Sequence, residues 1–84
     1  MTNKDIIKKK IIYRSTHRGS KEMDLLLGNF VKKNINDLND LELIDLDNLL
    51  SIEDEILKKW YFENHVTKKI PNNKVTEMFK NFIY

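Results

Sequence analysis

The residues best suited to recognition or proton transfer are concentrated between positions 14 and 30. This window, RSTHRGSKEMDLLLGNF, holds both arginines of the chain, both glycines and one of its two histidines. Because every other Lys/Arg position is a lysine, the planar guanidinium group is used only at Arg14 and Arg18, where it could bind a carboxylate through two parallel hydrogen bonds. His17 and Glu22 could in principle share a proton as an acid and base. The window predicts a recognition site, with an enzyme as the least favoured alternative.

The residues after Gly19 are expected to place this window on a helix. Gly19 itself is expected at a helix start or tight turn that uses its access to positive φ. A glycine in a helix interior costs about 1 kcal/mol, so Gly28 is expected where another backbone approaches closely. One helical stripe, which should face the core, consists of Met23, Leu26, Leu27, Phe30 and Val31. The opposite side carries Arg18, Lys21, Glu22, Leu25 and Asn29.

Two interpretations of that outer side remain open. An apolar residue such as Leu25 beside fixed charges is typical of a partner-binding face. The alternative is that Arg18 and Glu22 form an exposed i, i+4 ion pair worth about 0.3 to 0.5 kcal/mol, with Leu25 incidental. The combination of arginine, glycine, glutamate and an outward leucine favours the partner-binding face.

The window also resembles the signature of the succinate dehydrogenase assembly factor 2 family, small flavinylation factors with an R-G-x-x-E core. The resemblance extends on both sides of that core and covers the chain from about Tyr13 to Phe82, with the last helix matching only in pattern. The residues that carry it are Arg14, Ser15, His17, Arg18, Gly19, Glu22, Asp24, Leu27, Gly28 and Phe30.

The resemblance implies a partner and a function. Members of the family bind the flavoprotein subunit of succinate dehydrogenase, in bacteria also that of fumarate reductase, and promote covalent attachment of FAD to a histidine of that subunit. The chain would then be an assembly factor and not an enzyme, since the bond-forming groups belong to the partner. Gly19→Arg is expected to abolish docking and leave the fold intact. The predicted partner-binding residues are Arg14, His17, Arg18, Gly19, Glu22, Asp24, Leu25 and Gly28.

Length and composition restrict the other possibilities. The 84 residues are expected to form one domain, residues 1–84. There is no cysteine, no zinc spacing, and no calcium loop among the acidic residues, so no metal is expected. Without a dinucleotide fingerprint the chain should hold no FAD tightly by itself. No apolar run approaches the length of a membrane span, so we expect no insertion into membranes. We also expect a monomer.

The distribution of charge bears on partners and on compartment. Residues 1–21 carry seven Lys or Arg against one acid, residues 22–57 ten acids against two Lys, and residues 58–84 six Lys against two acids. A small nucleic-acid-binding or regulatory protein that uses these basic ends is the alternative to an assembly factor, although such binders more often show an arginine-containing stripe. The lysine-rich start contains an acid, unlike a mitochondrial targeting segment, and Met1 favours a bacterial cytoplasmic protein. The mitochondrial matrix is expected if the source is eukaryotic.

The periodicity predicts an all-α, compact single-domain bundle of about five short helices. The first is expected over residues 3–13 with Asn3 as N-cap, and the second over residues 20–33. Hydroxyl side chains compete for backbone hydrogen bonds and so suit the junction between these helices. The junction residues of this type are Ser15, Thr16 and Ser20.

The second half of the chain supplies three more helices. Asn39 with Glu42 predicts the cap of a third helix that ends near Leu50, and Ser51 with Asp54 predicts the cap of a fourth. Trp60 lies on an apolar stripe of the fourth helix and is expected in the core. The cap of the last helix should be Asn72 or Asn73, and its stripe should consist of Val75, Met78, Phe79, Phe82 and Ile83.

Overall fold

The computed structural model describes residues 2–83, so Met1 and Tyr84 of the predicted domain lie outside the described residues. Within that range the chain forms helices and no strand, which confirms the all-α prediction. The Cα radius of gyration is 12.1 Å, and a compact chain of this length is expected to have roughly 12 Å. The elements are α1 (Asn3–Thr16), α2 (Lys21–Asn34), a 3₁₀ turn (Ile35–Asp37), α3 (Asp40–Leu50), α4 (Asp54–Phe62) and α5 (Lys74–Lys80).

Three of the predicted helix starts are confirmed by side-chain caps. The Ser20 hydroxyl accepts a hydrogen bond from the backbone N–H of Met23 at the start of α2. Asn39 and Glu42 form a reciprocal capping box at the start of α3, and Asn73 does the same at the start of α5. Each cap satisfies N–H groups that the first turn of a helix would leave without a partner.

The first helix begins at the predicted residue but differs from the prediction in its cap and in its end. Thr2, and not Asn3, is the N-cap, because its hydroxyl accepts from the Asp5 N–H while the Asp5 carboxylate accepts from the Thr2 N–H. Ser15 and Thr16, predicted in the junction, belong to α1. Their hydroxyls donate to carbonyls one turn back, Ser15 Oγ at 2.8 Å, and so are satisfied inside the helix.

The predicted cap of α4 is also wrong. Ser51 ends α3 as its C-cap, and its hydroxyl donates to the Asp47 carbonyl. The helix begins at Asp54, with Glu53 as an N-cap that makes no side-chain cap bond. The Asp54 carboxylate is bonded instead to the connection between α1 and α2, as described below.

One hydrophobic core joins the helices. All five residues of the predicted α2 stripe are buried in it, and α2 packs against α1. Trp60 packs against this core from its edge, with its ring centroid 6.1 Å from that of Phe79. Ile83 was predicted on the α5 stripe but is exposed, because the helix ends at Lys80. Among residues 2–83, no helix is both long and apolar enough to cross a lipid bilayer.

Candidate functional site

Arg18 links the connection between α1 and α2 to the junction of α3 and α4. Its side chain is only 9 % exposed, and its Nε donates to Asp54 Oδ1 at 2.7 Å. The other guanidinium nitrogens donate to the backbone carbonyls of Leu50 and Ile52. These carbonyls lie at and beyond the end of α3, where no further helical N–H is available to them. Arg18 therefore supplies the missing donors and joins both helices to the start of α2.

Gly19 completes this arrangement through its backbone. Its N–H donates to Asp54 Oδ2 at 2.8 Å, and a Cβ atom at Gly19 would lie 3.3 Å from that same oxygen. The expectation of a positive φ at Gly19 is wrong, and close approach of the Asp54 carboxylate is the feature that favours glycine. Asp24 accepts the Arg18 backbone N–H. We call Arg18, Gly19, Asp24 and Asp54 the Arg18 corner.

The predicted placement of Arg18 with Glu22 on the outer side of α2 is wrong, and the alternative of an i, i+4 ion pair between them is not formed. Arg18 precedes α2 and points inward, so the helical wheel does not apply to it. Glu22 is 59 % exposed and lies 3.9 Å from the Lys58 ammonium of α4. The structure therefore separates a buried arginine from an exposed glutamate that lies one helical turn further along the chain.

An apolar groove of about 410 Å³ lies beside Glu22, between α2 and α4. Three of its large apolar side chains are well exposed: Leu25 is 42 %, Phe62 48 % and Ile83 90 % accessible. Exposed apolar side chains with charged groups at their rim are typical of protein-binding surfaces. We call this the α2–α4 groove, and its lining residues are Glu22, Leu25, Leu26, Tyr61, Phe62 and Ile83.

Tyr61 holds in place the part of the groove wall that is formed by the residues after α5. Its hydroxyl donates to the Phe82 carbonyl, and burial raises the pKa of Tyr61 above its usual 10.0. The Phe82 ring packs edge-on against Phe30 with centroids 5.3 Å apart. These contacts hold the backbone next to Ile83 while leaving that side chain accessible.

The other predicted residues lie on the α1 side. Arg14 donates to Asp47 Oδ1 at 3.2 Å and to Ser51 Oγ at 2.9 Å, so it links α1 to α3. Gly28 faces the end of α1, where an added Cβ would lie 3.5 Å from Thr16 Cγ2 and 3.9 Å from the nearest backbone atom. The backbone of α1 therefore lies near Gly28 but not so close that it requires glycine, because the space would accept a methyl group.

His17 and Glu22 are engaged with different partners. The His17 ring stacks on Tyr13 with centroids 3.9 Å apart, and its Nδ1 lies 2.8 Å from the Tyr13 carbonyl oxygen. Because a carbonyl can only accept, Nδ1 is the donor. Glu22 is paired with Lys58, so the geometry gives no support to an acid and base pair of His17 and Glu22. Within residues 2–83, no three His, Asp or Glu side chains cluster as metal ligands would.

The basic start of the chain is matched internally by the acidic segment. Lys4 lies 3.7 Å from Asp40, and Lys10 and Arg14 both approach Asp47, at 3.4 and 3.2 Å. The segregation of charge along the sequence thus becomes attraction between α1 and α3. This pairing reduces the positive field that nucleic-acid phosphates would require.

The sequence prediction missed five residues of the corner and groove. Phe62 could have been identified from the sequence, because it is an apolar residue that lies off the apolar stripe of α4. Leu25 lies off the stripe of α2 in the same way. Asp54 was assigned to a helix cap, and its contacts join residues 35 positions apart, which spacing within one helix could not indicate. The missed residues are Asp54, Leu26, Tyr61, Phe62 and Ile83. Lys58, the partner of Glu22, was missed as well.

The fold and groove define a small all-α bundle with an exposed apolar groove. The profile of a family described as "Flavinator of succinate dehydrogenase" matches residues 9–83. The chain therefore belongs to this family.

Individual relatives agree with that assignment. The FAD assembly factor SdhE of Acetobacter pasteurianus is 32 % identical over 76 residues, which cover 90 % of this chain and 67 % of that protein. The mitochondrial succinate dehydrogenase assembly factor 2 of Saccharomyces cerevisiae is 34 % identical over 96 % of this chain and 54 % of its own length. Its counterpart in Arabidopsis thaliana is 39 % identical over 64 % of this chain and 29 % of its own length. The chain thus spans about two thirds of the bacterial relative and about half or less of these mitochondrial ones. No solved structure matches the chain.

Proposed function

We propose that this protein is an assembly factor that binds the flavoprotein subunit of succinate dehydrogenase and promotes covalent attachment of FAD to it. Family membership supports the process, since relatives are named FAD assembly factor and succinate dehydrogenase assembly factor. The structural observation that carries the proposal is the α2–α4 groove. It presents Glu22 of the R-G-x-x-E motif beside Leu25 and Phe62 on one accessible surface.

In this proposal the groove residues contact the partner and the corner residues position them. Glu22 and Leu25 bind directly, while Arg18, Gly19 and Asp24 hold the start of α2 in place. Arg14, His17 and Gly28 lie on the α1 side and contribute indirectly, through the packing of α1 against α2 and α3. The eight predicted residues therefore contribute in different ways to one docking surface.

The chemical contribution of such a protein is positional. Docking beside the FAD site would order the partner and hold its histidine and the flavin in attack geometry, with water excluded. Proximity and orientation of this kind can contribute several kcal/mol, on the order of 7 or more in favourable cases, without a catalytic group on the helper. The chain acts on the FAD of its partner, binds none tightly by itself and is not an enzyme.

The proposal extends to partners and compartment. A fumarate reductase flavoprotein is a second client, and the protein works as a monomer. We place it in the bacterial cytoplasm, or in the mitochondrial matrix if the source is eukaryotic, in line with a bacterial relative and relatives named mitochondrial. The nucleic-acid alternative is not favoured, because the ion pairs between α1 and α3 reduce the charge available for phosphate.

In-gel fluorescence of covalently bound flavin tests the function. A succinate dehydrogenase flavoprotein subunit is produced without this protein, with it, and with its Glu22→Ala or Glu55→Ala variant, under conditions where flavinylation is limiting. Glu55 is a matched control because it is an exposed α4 glutamate whose ion pair is with Lys59 on the same helix. Fluorescence should rise with the native and Glu55→Ala proteins and remain near background with Glu22→Ala.

Equal fluorescence in all four samples would refute the assembly function. Salt dependence then separates the alternatives. Binding to the flavoprotein through a mixed polar and apolar groove should weaken little between low and moderate salt, whereas phosphate contacts to nucleic acid would lose affinity steeply.

A further inference from the structure

The two long walls of the α2–α4 groove are not among the closely packed helix pairs of residues 2–83. The closest helix packing joins α1 with α2 and α3, and α3 with α5. The relative position of α2 and α4 therefore depends on side-chain contacts between them, in addition to the shared core.

These contacts occur at three successive levels along α4, the first with the residues just before α2 and the other two with α2 itself. Asp54, Lys58 and Phe62 are spaced four residues apart and so lie on one face of α4. Asp54 binds Gly19 and Arg18, Lys58 lies near Glu22, and Phe62 lines the groove with Leu25 and Leu26.

The contacts loosen from the first level to the third. At Asp54 both carboxylate oxygens accept short hydrogen bonds, at 2.7 and 2.8 Å, from a nearly buried guanidinium and a backbone N–H. At Lys58 the ion pair with Glu22 is 3.9 Å long and exposed. At Phe62 the two walls separate and leave the open groove. The first level is therefore the firmly bonded end from which the groove opens.

We infer that Asp54 is the positioning residue of the α2–α4 groove, which sets the separation of its two walls through Arg18 and Gly19. It need not touch the partner. Its effect on docking rests on the proposed function, whereas its effect on the groove is a property of the free protein.

The absence of cysteine in the sequence allows this to be measured directly. Nitroxide labels at Lys21→Cys and Glu63→Cys report the distance between α2 and the end of α4, by double electron–electron resonance. A control pair at Ile6→Cys and Asn48→Cys reports α1 against α3. All four positions are exposed.

Each label pair is measured in three backgrounds: native, Asp54→Ala and the control Glu55→Ala. Asp54→Ala should broaden the α2–α4 distance distribution and leave the α1–α3 distribution unchanged, while Glu55→Ala should change neither. Without labels, Asp54→Ala should weaken binding to the flavoprotein subunit about tenfold at a temperature where it remains folded, as residues that act on a site without contacting the ligand can.

The outcomes separate this inference from the proposed function. An unchanged α2–α4 distribution, or equal broadening of both distributions, would overturn the positioning role of Asp54, since the second result describes general loosening of the fold. If Asp54→Ala does not fold, Asp54→Asn retains one acceptor oxygen and is judged by the same distance comparison. Failure of the native protein to bind the flavoprotein would refute the proposed function and leave the distance result standing.

Discussion

The Arg18 corner and the α2–α4 groove include neighbouring residues of the sequence but differ in burial and in polarity. In the corner, a nearly buried guanidinium and a backbone N–H are matched by carboxylates and carbonyls. In the groove, large apolar side chains remain accessible and the charged groups lie at the rim. The R-G-x-x-E motif is thus divided: Arg18 and Gly19 serve the internal contacts, and Glu22 faces outward.

This division explains how so short a motif can combine stability with recognition. A buried charge whose donors are all satisfied tolerates little change, because removing its partner leaves an unpaired ion in a poorly solvated place. An exposed apolar surface tolerates substitution in the free protein, but not when a partner must cover it. Substitutions in the two regions should therefore separate loss of folding from loss of binding.

The largest effect is expected for Arg18→Ala. Removing the guanidinium leaves Asp54 and the carbonyls at the end of α3 without donors, so the free energy of unfolding should fall by about 2 to 4 kcal/mol. Urea denaturation followed by Trp60 fluorescence measures this. Arg14→Ala is the matched control, because Arg14 also links helices but is more exposed, and it should cost about 1 kcal/mol or less. Equal losses in both variants would remove the distinction between the corner and ordinary surface pairs.

The second effect concerns the groove and should appear in binding alone. Leu25→Ser should weaken binding to the flavoprotein subunit about tenfold, as truncation of an interface anchor does, while the free energy of unfolding changes by about 0.5 kcal/mol or less. The control is Leu41→Ser, which changes an exposed leucine on α3 outside the groove. Calorimetric titration and urea denaturation of the same samples give both quantities. Equal affinities of the two variants would exclude the groove as the docking surface.

The sequence predicted those parts of the molecule that depend on local patterns. The start of α2 near Ser20, the cap at Asn39, the cap of α5 at one of the two candidates (Asn73) and the α2 stripe follow from contacts within a few residues, and they are confirmed. The inward course of Arg18 could not be predicted, because its partners lie 32 to 36 positions away and depend on how α3 and α4 meet. Leu25 was identified as exposed because it departs from the helical stripe. The opposite wall of the groove could not be predicted from the sequence, because it is formed by the packing of α4 and of the segment after α5.

The third effect compares the two glycines of the window, which the structure places in different surroundings. A Cβ at Gly19 would crowd the Asp54 carboxylate, so Gly19→Ala should lower the free energy of unfolding by about 1 kcal/mol. Gly28 is in a helix interior with room for a methyl group, so Gly28→Ala should raise it by about 0.5 to 1 kcal/mol. Thermal unfolding of the two variants and of the native protein measures these opposite changes in stability.

This comparison also revises the expectation for Gly19→Arg. The predicted loss of docking with an intact fold requires that position 19 be free of internal contacts, whereas its Cβ would meet Asp54 at 3.3 Å. Gly19→Arg should therefore lose stability at least as Gly19→Ala does. A Gly19→Ala protein as stable as the native one would show that Asp54 can move aside, and would restore a direct partner-binding role for this glycine.

The smallest effect on stability is expected at Glu42, whose carboxylate lies outside both the Arg18 corner and the α2–α4 groove. Glu42 accepts the Asn39 N–H at 2.9 Å and lies 3.0 Å from the Lys74 ammonium, and these contacts hold the pKa of Glu42 below its usual 4.5. A carboxyl group whose pKa is lowered on folding stabilises the folded protein. This stabilisation is complete above the pKa of the group in the unfolded chain and is lost as the pH falls through its pKa in the folded protein. Glu42→Gln should therefore be less stable than the native protein near neutral pH, and the difference should shrink below pH 4.5.

Urea midpoints of the native and Glu42→Gln proteins across this pH range test that dependence. Asp5, whose pKa is also lowered by its bonds to Thr2, is present in both proteins and cancels from their difference. A difference that does not change with pH would mean that the Glu42 carboxylate contributes by shape alone. A difference that shrinks, beside a larger loss in Arg18→Ala at neutral pH, would show that the corner is held by a network of donors and acceptors, whereas the start of α3 depends on one titratable cap.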